Sequence, residues 1–489
     1  MSYKNLNDYK TEIIENENVI IGSGAGGSTV AFELLKMQKS SIILEEGPNV
    51  TGINKRNIGN NIVKLYKNNG ATPIFSFDGG PLIGYGQGSC VGGSTFVNAG
   101  YFSETPQWIY DDWLKSKRVE MPFSNFRKLF EEIKSEINIS TETSSDKDGS
   151  SEIMNKIAIK KKLKIEKCER FSNGSQGKEK NNMNSTYLKT LLKRDMDVIH
   201  DCKVIKIFTK NNKAFMLMVK DKNNNKIKHI KFKNLFICCG PISSPHLLIK
   251  NKLIKIDKNQ NNFEFHINFK VLVKFKSNIN LNSSKTFNPD DPVSIYFMRE
   301  YEREGMLLSS ANSELPYLLA TSSHFDEKIK NDIYKNFNKY CMYIYQIKSS
   351  SLGQVKDFFG NPFVNYKFDS QDFVKIKLAI ERISSFFLDV GAEKIFYPIE
   401  DSNSVESLKD TKNILQNLKI KKLHLVSVHG MSSLRSGIEK NSHTNYLGKL
   451  KNYDNIFIND ASILPGNTGE SPQASIMAMV KNNMKNLKL

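Results

Sequence analysis

The sequence predicts an α/β protein with two parts: a Rossmann-like domain that is discontinuous in the chain, and a second domain with a mainly antiparallel sheet and helices. Three observations lead to this fold class. A short β-branched run at residues 19–21 ends in a glycine loop, and an apolar helical pattern follows. Apolar residues alternate with period two at residues 269–275. The end of the chain returns to a strand, a loop and a helix.

The loop at residues 22–27 has the glycine spacing of a dinucleotide site. We expect Gly22 to make the tight turn, Gly24 to let the backbone approach a pyrophosphate, and Gly27 to let the helix pack on the strand. A second apolar run leads to Glu45, which follows Gly24 by about 20 residues, as expected of a carboxylate that binds ribose hydroxyls. The alternative is a tight turn that holds no ligand.

Composition restricts the class of protein. The 489 residues, 39% hydrophobic and 25% charged, suit two or three globular domains. No run approaches the roughly 20 apolar residues of a membrane span, so we expect no transmembrane segment. The polar first residues do not resemble a secretory signal, and the six cysteines are scattered without a CxxC pair. We therefore expect reduced thiols, no metal site and a cytoplasmic location.

The formal net charge of +19 raises the question of a polyanionic partner. The lysines are spread along the chain and mixed with asparagine and isoleucine, and the densest run, at residues 160–164, is expected to be a solvated face. We expect no nucleic-acid partner. Attraction of anionic substrates or of membrane surfaces stays open.

The order of the patterns predicts how the domains are arranged. Residues 14–250 are expected to form the first part of the nucleotide-binding domain, with a loop or helical insert at about 120–184. Residues 251–428 are expected to form the second domain, and residues 429–489 to complete the first. Within the insert, the low-complexity segment 141–151 is expected to be an exposed loop. The sheet of the second domain is expected to have one covered face.

Four separate segments resemble signature motifs of the glucose–methanol–choline (GMC) oxidoreductases. Residues 88–98 (GSCVGGSTFVN) are similar to the first signature of that family, and residues 240–248 (GPISSPHLL) to the second. Residues 429–437 (HGMSSLRSG) resemble its histidine motif, and residues 460–472, which contain DASILP and GESP, its closing element. The motifs occur in the family's order and span essentially the whole chain. The sequence is therefore identified as a member of this family, with a leaning toward bacterial alcohol, sterol and sugar dehydrogenase-like members.

The resemblance implies that the dinucleotide is FAD, held noncovalently because residues 88–98 contain no histidine. It implies backbone contact of the flavin with a glycine pair, a neutral amide near the isoalloxazine, adenine contacts from a strand, and N–H groups at the flavin carbonyl end. The cofactor residues that it implies, beyond the first loop and Glu45, are Gly92, Gly93, Ser94, Asn98, Val204, Gly240, Asp460, Ala461, Pro472 and Gln473.

The resemblance also implies that a small-molecule alcohol is oxidised to an aldehyde or ketone by hydride transfer to flavin N5. His429 falls on the family's catalytic position and is expected to take the hydroxyl proton, because imidazole titrates near neutral pH. The electron acceptor, whether oxygen, a quinone or another carrier, stays open. His266 and His424 are expected to be structural.

The chain departs from the family pattern at the partner of the base. Family members usually place a histidine or an asparagine where this chain has Ser471, and a glycine where it has Ser432. Either the substrate lies closer to Ser471, or Asn312 or His324 from the second domain supplies the second contact. A third alternative is a divergent flavin-binding protein that does not oxidise alcohols.

Overall fold

The computed structural model describes residues 3–50, 58–141, 149–172, 180–194, 196–255, 262–279, 296–311, 315–439 and 442–488. Its centre is a parallel sheet that contains strands from both ends of the chain, with a strand from the middle of the chain between them. The strand order is β23–β13–β2–β3–β9. These strands are β2 (Asn18–Ile21), β3 (Ser41–Leu44), β9 (Asp197–Ile199), β13 (Asn234–Ile237) and β23 (Ile456–Ile458).

Helices from distant parts of the chain pack together beside this sheet. They include α1 (Ala25–Lys36), α5 (Phe123–Glu136) and α13 (Gln473–Asn486). Lys481 of α13 is fully buried and donates to Glu33 of α1 (2.6 Å) and Glu136 of α5 (2.8 Å). Because a buried ammonium requires paired carboxylates, this cluster fixes α13 against the other two helices.

A small sheet lies beside the parallel one and has the order β1–β12–β11–β10. Its strands are β1 (Ile13–Glu15), β10 (Cys202–Lys210), β11 (Lys213–Asp221) and β12 (Ile227–Lys231). Two short strands of the insert, β6 (Ile139–Ser140) and β8 (Arg170–Phe171), pair with each other.

The second domain is built on a large, mainly antiparallel sheet whose longest strand is β14 (Glu264–Phe275). Beside β14 lie β17 (Tyr340–Lys348) and then β16 (Met306–Ser310), both antiparallel to their neighbours. The other strands of this sheet are β4 (Thr72–Phe75), β5 (Ile83–Tyr85), β7 (Ile165–Lys167), β15 (Tyr296–Met298), β18 (Leu352–Phe358), β19 (Asn361–Lys367), β20 (Ala392–Phe396), β21 (Leu425–Ser427) and β22 (Gly430–Met431).

The remaining helices flank the sheets or connect them. They are α2 (Ile58–Leu65), α3 (Ser94–Val97), α4 (Gln107–Lys115), α6 (Gly149–Lys161), α7 (Tyr187–Leu192), α8 (Ser243–Lys250), α9 (Leu315–Thr321), α10 (Glu327–Lys335), α11 (Ser370–Asp389) and α12 (Leu408–Asn417). No helix in the described ranges is both long and apolar enough to cross a bilayer.

The predicted fold class is confirmed, and two local expectations are wrong. Gly149, Ser150 and Ser151 are not in an exposed loop: they begin α6 and are buried. The rest of that segment, residues 142–148, lies outside the described residues. Nor does the sheet have one covered face at β14, because most residues on both faces of that strand are buried. One face packs on an apolar core and the other lies toward the parallel sheet.

Candidate functional site

A cavity of about 590 Å³ lies between the parallel sheet and the large sheet. Its volume is within the roughly 300–1,000 Å³ of small-molecule sites. Gly27 and Gly92 lie behind its wall. The predicted site residues that line it are Gly22, Gly24, Glu45, Gly93, Ser94, Asn98, Val204, Gly240, His429, Asp460, Ala461, Ser471, Pro472 and Gln473.

The first glycine loop joins β2 to α1 in a form that excludes side chains. Gly22 has φ +101°, and a Cβ there would lie 2.4 Å from the carbonyl oxygen of Cys238. A Cβ on Gly27 would lie 1.9 Å from the carbonyl oxygen of Gly22, so this glycine lets α1 approach the strand. Gly24 caps α1, whose first N–H groups have no partners within the helix. These N–H groups can donate hydrogen bonds to an anionic ligand.

Glu45 directly follows β3, lies beside that loop and is buried. Its carboxylate accepts hydrogen bonds from the N–H (3.0 Å) and hydroxyl (2.7 Å) of Ser23 and from the N–H of Gly47 (2.9 Å). Burial raises the pKa of this carboxyl. A carboxylate offers about four acceptor positions, so one remains for a ligand hydroxyl.

A second glycine pair closes over the first loop. Gly93 has φ +56°, and a Cβ there would lie 2.8 Å from the Cα of Gly24. The N–H of Gly92 donates to the hydroxyl of Ser23 (2.9 Å), which ties the two loops together. The hydroxyl of Ser94 accepts from the N–H of Gly88 (3.0 Å). The backbone of both loops therefore borders the cavity directly.

Asn98 is linked to the start of α13 at the opposite end of the chain. Its Nδ2 donates to Oε1 of Gln473 (2.7 Å). The Nε2 of Gln473 is buried and has no hydrogen-bond partner within the described part of the chain. Pro472 is the cap of α13, so the first backbone N–H groups of this helix, which begin at Gln473, lie at the cavity. Nε2 of Gln473 and the first N–H groups of α13 are therefore unused hydrogen-bond donors for a ligand that carries acceptors.

Asp460 holds two loops together at the cavity. One carboxylate oxygen accepts the N–H of Gly240 (2.8 Å), and the other accepts the N–H of Ser462 (2.8 Å). Ala461 follows in the same turn. Val204 lies on β10, where the pairing with β11 shifts register directly afterwards. Asp460 thus meets the cavity with a carboxylate that the chain's own donors already satisfy.

His429 belongs to a chain of hydrogen bonds. Its Nδ1 lies 3.0 Å from Nδ1 of His266 on β14, and the N–H of His266 donates to its carbonyl oxygen (3.1 Å). Nε2 of His266 contacts Oδ1 of Asn467. We expected His266 to be structural, and its side chain contacts the predicted base. It is therefore placed to hold that base in position.

The hydrogen bonds determine which nitrogens carry protons. Asn467 donates from Nδ2 to the Phe265 carbonyl (2.9 Å) and accepts the Gly469 N–H at Oδ1 (3.0 Å), which fixes its amide orientation. Nε2 of His266 therefore carries a proton, and Nδ1 of that neutral ring accepts. Nδ1 of His429 must be the donor. This leaves a free lone pair on Nε2 of His429, a side chain that lines the cavity.

Both imidazoles are neutral at physiological pH. His429 faces the cavity and is otherwise enclosed by protein, and this burial lowers its pKa to about 4. Burial, followed by the neighbouring His429, holds the pKa of His266 far below its ordinary value. A neutral imidazole with a free Nε2 can accept a proton.

Ser471 meets the cavity between a fixed loop and α13. No hydrogen-bond partner of its side chain is found among the described residues, so its hydroxyl is available to a ligand. The loop before it is anchored by Glu470, which is fully buried and pairs with Arg299. Nε2 of Gln346 also donates to the carbonyl oxygen of Gly469 (3.0 Å).

The floor of the cavity comes from the large sheet and includes polar side chains that the sequence analysis did not predict as site residues. Asn268 and Lys270 of β14, Ser309 of β16 and Gln346 of β17 line it. The signal was present as the period-two pattern of β14, which places every second residue from 266 onward on one face. The sequence suggests His324 or Asn312 as a partner of the base. His324 stacks on His424 and does not line the cavity, and Asn312 lies outside the described residues.

Solved structures share this fold at low sequence identity. Pyridoxine 4-oxidase from Mesorbium loti aligns with a TM-score of 0.69 and 13% identity, covering 96% of this chain and 98% of that chain. A formate oxidase from Aspergillus oryzae RIB40 aligns with a TM-score of 0.72 and 13% identity, covering 97% and 98%.

Sequence comparisons give the family. A GMC-type oxidoreductase of Sinorhizobium fredii, y4nJ, is 23% identical over 95% of this chain and 93% of its own length. The long-chain-alcohol oxidase FAO3 of Arabidopsis thaliana is 22% identical over 95% of this chain and 67% of its own length. The family models of the N-terminal and C-terminal parts of GMC oxidoreductases match residues 16–266 and 349–479. The chain therefore belongs to the GMC oxidoreductase family.

Proposed function

We propose that this oxidoreductase binds FAD noncovalently in the cavity and oxidises an alcohol to an aldehyde or ketone, with His429 as the base. GMC oxidoreductases bind FAD. The observation that carries the proposal is the free lone pair on Nε2 of His429, which the contact with His266 defines.

The residues at the cavity fit FAD in three respects. The bare backbone at Gly24 and Gly93 leaves room for a pyrophosphate, which the amino end of α1 would stabilise. Glu45 retains one acceptor position for a ribose hydroxyl. The unpaired Nε2 of Gln473 would donate to a carbonyl of the flavin ring.

The chemistry divides between cofactor and chain. Bound FAD would supply the acceptor for the two electrons and the hydrogen that leave the alcohol carbon. Nε2 of His429 takes the hydroxyl proton, a contribution that is typically about 10²–10⁴-fold in rate. The Ser471 hydroxyl and the Asn268 amide, both at the cavity, are the side chains we assign to holding the substrate oxygen.

Noncovalent attachment is tested by acid precipitation of the purified protein. Since residues 88–98 contain no histidine, the yellow colour should pass into the supernatant as FAD. A yellow precipitate would contradict this part of the proposal.

Ser471 favours one alternative function, that of a flavin-binding protein that does not oxidise alcohols. A serine hydroxyl is shorter than the family's amide or imidazole, and a lost oxyanion donor typically costs about 10²–10³-fold. Anaerobic mixing with a broad alcohol panel separates the two functions, because only an alcohol-oxidising enzyme bleaches its flavin. In the same assay, Ser471→Ala should slow bleaching at least tenfold if the hydroxyl holds the substrate.

A further inference from the structure

Lys270 is a cation at the floor of the cavity. Its neighbours on β14, Phe269 and Val271, are fully buried in the apolar core of the second domain. Since side chains alternate across a strand, Lys270 lies on the other face, and its side chain lines the cavity. Across the sheet it is opposite Ile344 of β17, which supplies no charge.

Lys270 differs from the other lysines of the cavity wall. Lys67 and Lys203 both pair with Glu46, and Lys250 is exposed. Within the described ranges, Lys270 has neither an ion pair nor a hydrogen-bonded side-chain partner. Burial lowers its pKa, and no neighbouring carboxylate opposes that shift.

The acidic residues of the cavity do not neutralise this charge. Glu46 has its two lysines, Glu45 accepts from Ser23 and Gly47, and Asp460 accepts from its own loops. A buried ammonium is costly unless an opposite charge meets it. A bound anion would provide that charge and would form a charge-assisted hydrogen bond.

The strand relates Lys270 to the reacting end of the cavity. His266, Asn268 and Lys270 follow one another on the same face of β14, and His266 contacts His429. At about 3.3 Å per residue, the Cα atoms of His266 and Lys270 are roughly 13 Å apart. The hydroxyl and the anion would therefore stand at separate ends of one substrate.

We infer that the substrate is an alcohol that also carries an anionic group, a carboxylate or a phosphate ester, which binds Lys270 while His429 meets the hydroxyl. The inference rests on the proposed alcohol oxidation. It narrows the substrate class to hydroxy acids or hydroxyalkyl phosphates with several carbons between the two groups.

The experiment compares probes of one shape and different charge. FAD-loaded protein is mixed anaerobically with ω-hydroxy acids of four to ten carbons, with their primary amides, and with the corresponding alkanediol monophosphates. We expect at least one anionic series to half-saturate flavin reduction at a concentration at least tenfold below that of the neutral amides. Whichever anionic series half-saturates flavin reduction at the lower concentration shows whether the site prefers a carboxylate or a phosphate. Equal half-saturation by the anionic series and the amides in the wild type would overturn the inference.

Variants assign the effect to the lysine. Lys270→Met should abolish the preference for the anion, Lys270→Arg should keep it, and Lys276→Met, an exposed lysine just after the same strand, should leave it unchanged. A preference that survives Lys270→Met would contradict the assignment. The wild-type comparison decides the inference even where a variant fails to fold.

A second experiment measures ligand binding without any turnover. Calorimetry of hexanoate, hexyl phosphate and hexanamide on FAD-loaded wild type and Lys270→Met measures anion binding without oxidation. If no alcohol of any kind reduces the flavin, the proposed function fails. Tighter binding of an anion than of the amide, lost in Lys270→Met, would still support the anion site, and equal binding would reject it.

Discussion

His266 and His429 lie edge to face, with ring centroids 5.2 Å apart and Nδ1 atoms 3.0 Å apart. Asn467 completes the line behind His266. His429 donates to His266, and His266 donates to Asn467. The amide of Asn467 therefore determines the tautomer of the imidazole that meets the substrate. In this account His266 is a positioning residue, and His429 is the catalytic one.

Replacing His266 with leucine should therefore impair the base without removing it. The Nδ1–H of His429 would lose its acceptor, and the ring could take either tautomer or rotate. We expect the limiting rate of anaerobic flavin reduction to fall at least tenfold while FAD stays bound. His266→Gln, which keeps an acceptor, should recover part of the rate. Equal rates in wild type and His266→Leu would show that the contact has no part in catalysis.

Ser432 occupies a backbone conformation that favours glycine. It has φ +66°, and its buried hydroxyl has no partner within the described residues. The left-handed conformation costs a side-chain-bearing residue about 1–2 kcal/mol, partly offset by the greater chain entropy of glycine. We expect Ser432→Gly to raise the free energy of unfolding by about 0.5–1 kcal/mol in denaturant titration.

The neighbouring serine provides the matched control. Ser433 has no positive φ and donates to the carbonyl oxygen of Pro241 (2.6 Å). Ser433→Gly should therefore destabilise the protein. If both variants shift stability in the same direction, backbone conformation is not the cause.

Arg299 neutralises a buried carboxylate beside Ser471. Glu470 is 1% exposed, and burial raises its pKa against the opposing effect of Arg299. Arg299→Met would leave that carboxylate buried without its partner, at a cost of about 3 kcal/mol in unfolding free energy. Arg382→Met breaks a more exposed pair with Glu304 and should cost less than about 1 kcal/mol. If urea titrations give comparable losses of unfolding free energy for Arg299→Met and Arg382→Met, Arg299 does not have this special role in neutralising a buried carboxylate.

His443 makes a pH-dependent contribution to stability. Both ring nitrogens are buried without partners in the described part of the chain, and burial, followed by Lys451 and Arg435, lowers its pKa to about 4. Between pH 6.5 and 4 the unfolded chain binds a proton here that the folded chain does not, so stability falls as pH falls.

Replacing His443 with phenylalanine, an apolar ring of similar size, should remove this loss of stability at low pH. The stability of His443→Phe relative to wild type should increase by about 2 kcal/mol between pH 7 and pH 5, at about 1.4 kcal/mol per pH unit below 6.5. Unfolding titrations at the two pH values measure the difference. A difference that does not change with pH would mean that His443 titrates normally in the folded state.

The sequence predicts those parts of this protein that depend on local patterns. The glycine loop before α1 and the carboxylate at Glu45 both follow from residues close together in the chain. Each requires only a short spacing and a preferred backbone conformation. The motif order similarly predicts that the far end of the chain returns to the parallel sheet.

The parts that could not be predicted depend on pairing between distant segments. His266 and His429 are 163 residues apart in the chain, and they meet because β14 passes beside the histidine motif. In the sequence Lys270 does not differ from the many other lysines. Only the register of β14 shows that it lies on the cavity face. Neither relationship has a local signature, so the sequence does not predict the contact of His266 with His429 or the position of Lys270 at the cavity.

The proposed role of His429, to take the proton of an alcohol, is tested most directly by removing its imidazole. His429→Ala is compared with the wild type and with His424→Ala, a control histidine that is exposed and does not line the cavity. The measurement is the limiting rate of flavin reduction by the best alcohol under anaerobic stopped flow. We expect His429→Ala to keep FAD and to reduce it at least 100-fold more slowly, while the control matches the wild type. A wild-type rate in His429→Ala with FAD bound would contradict it.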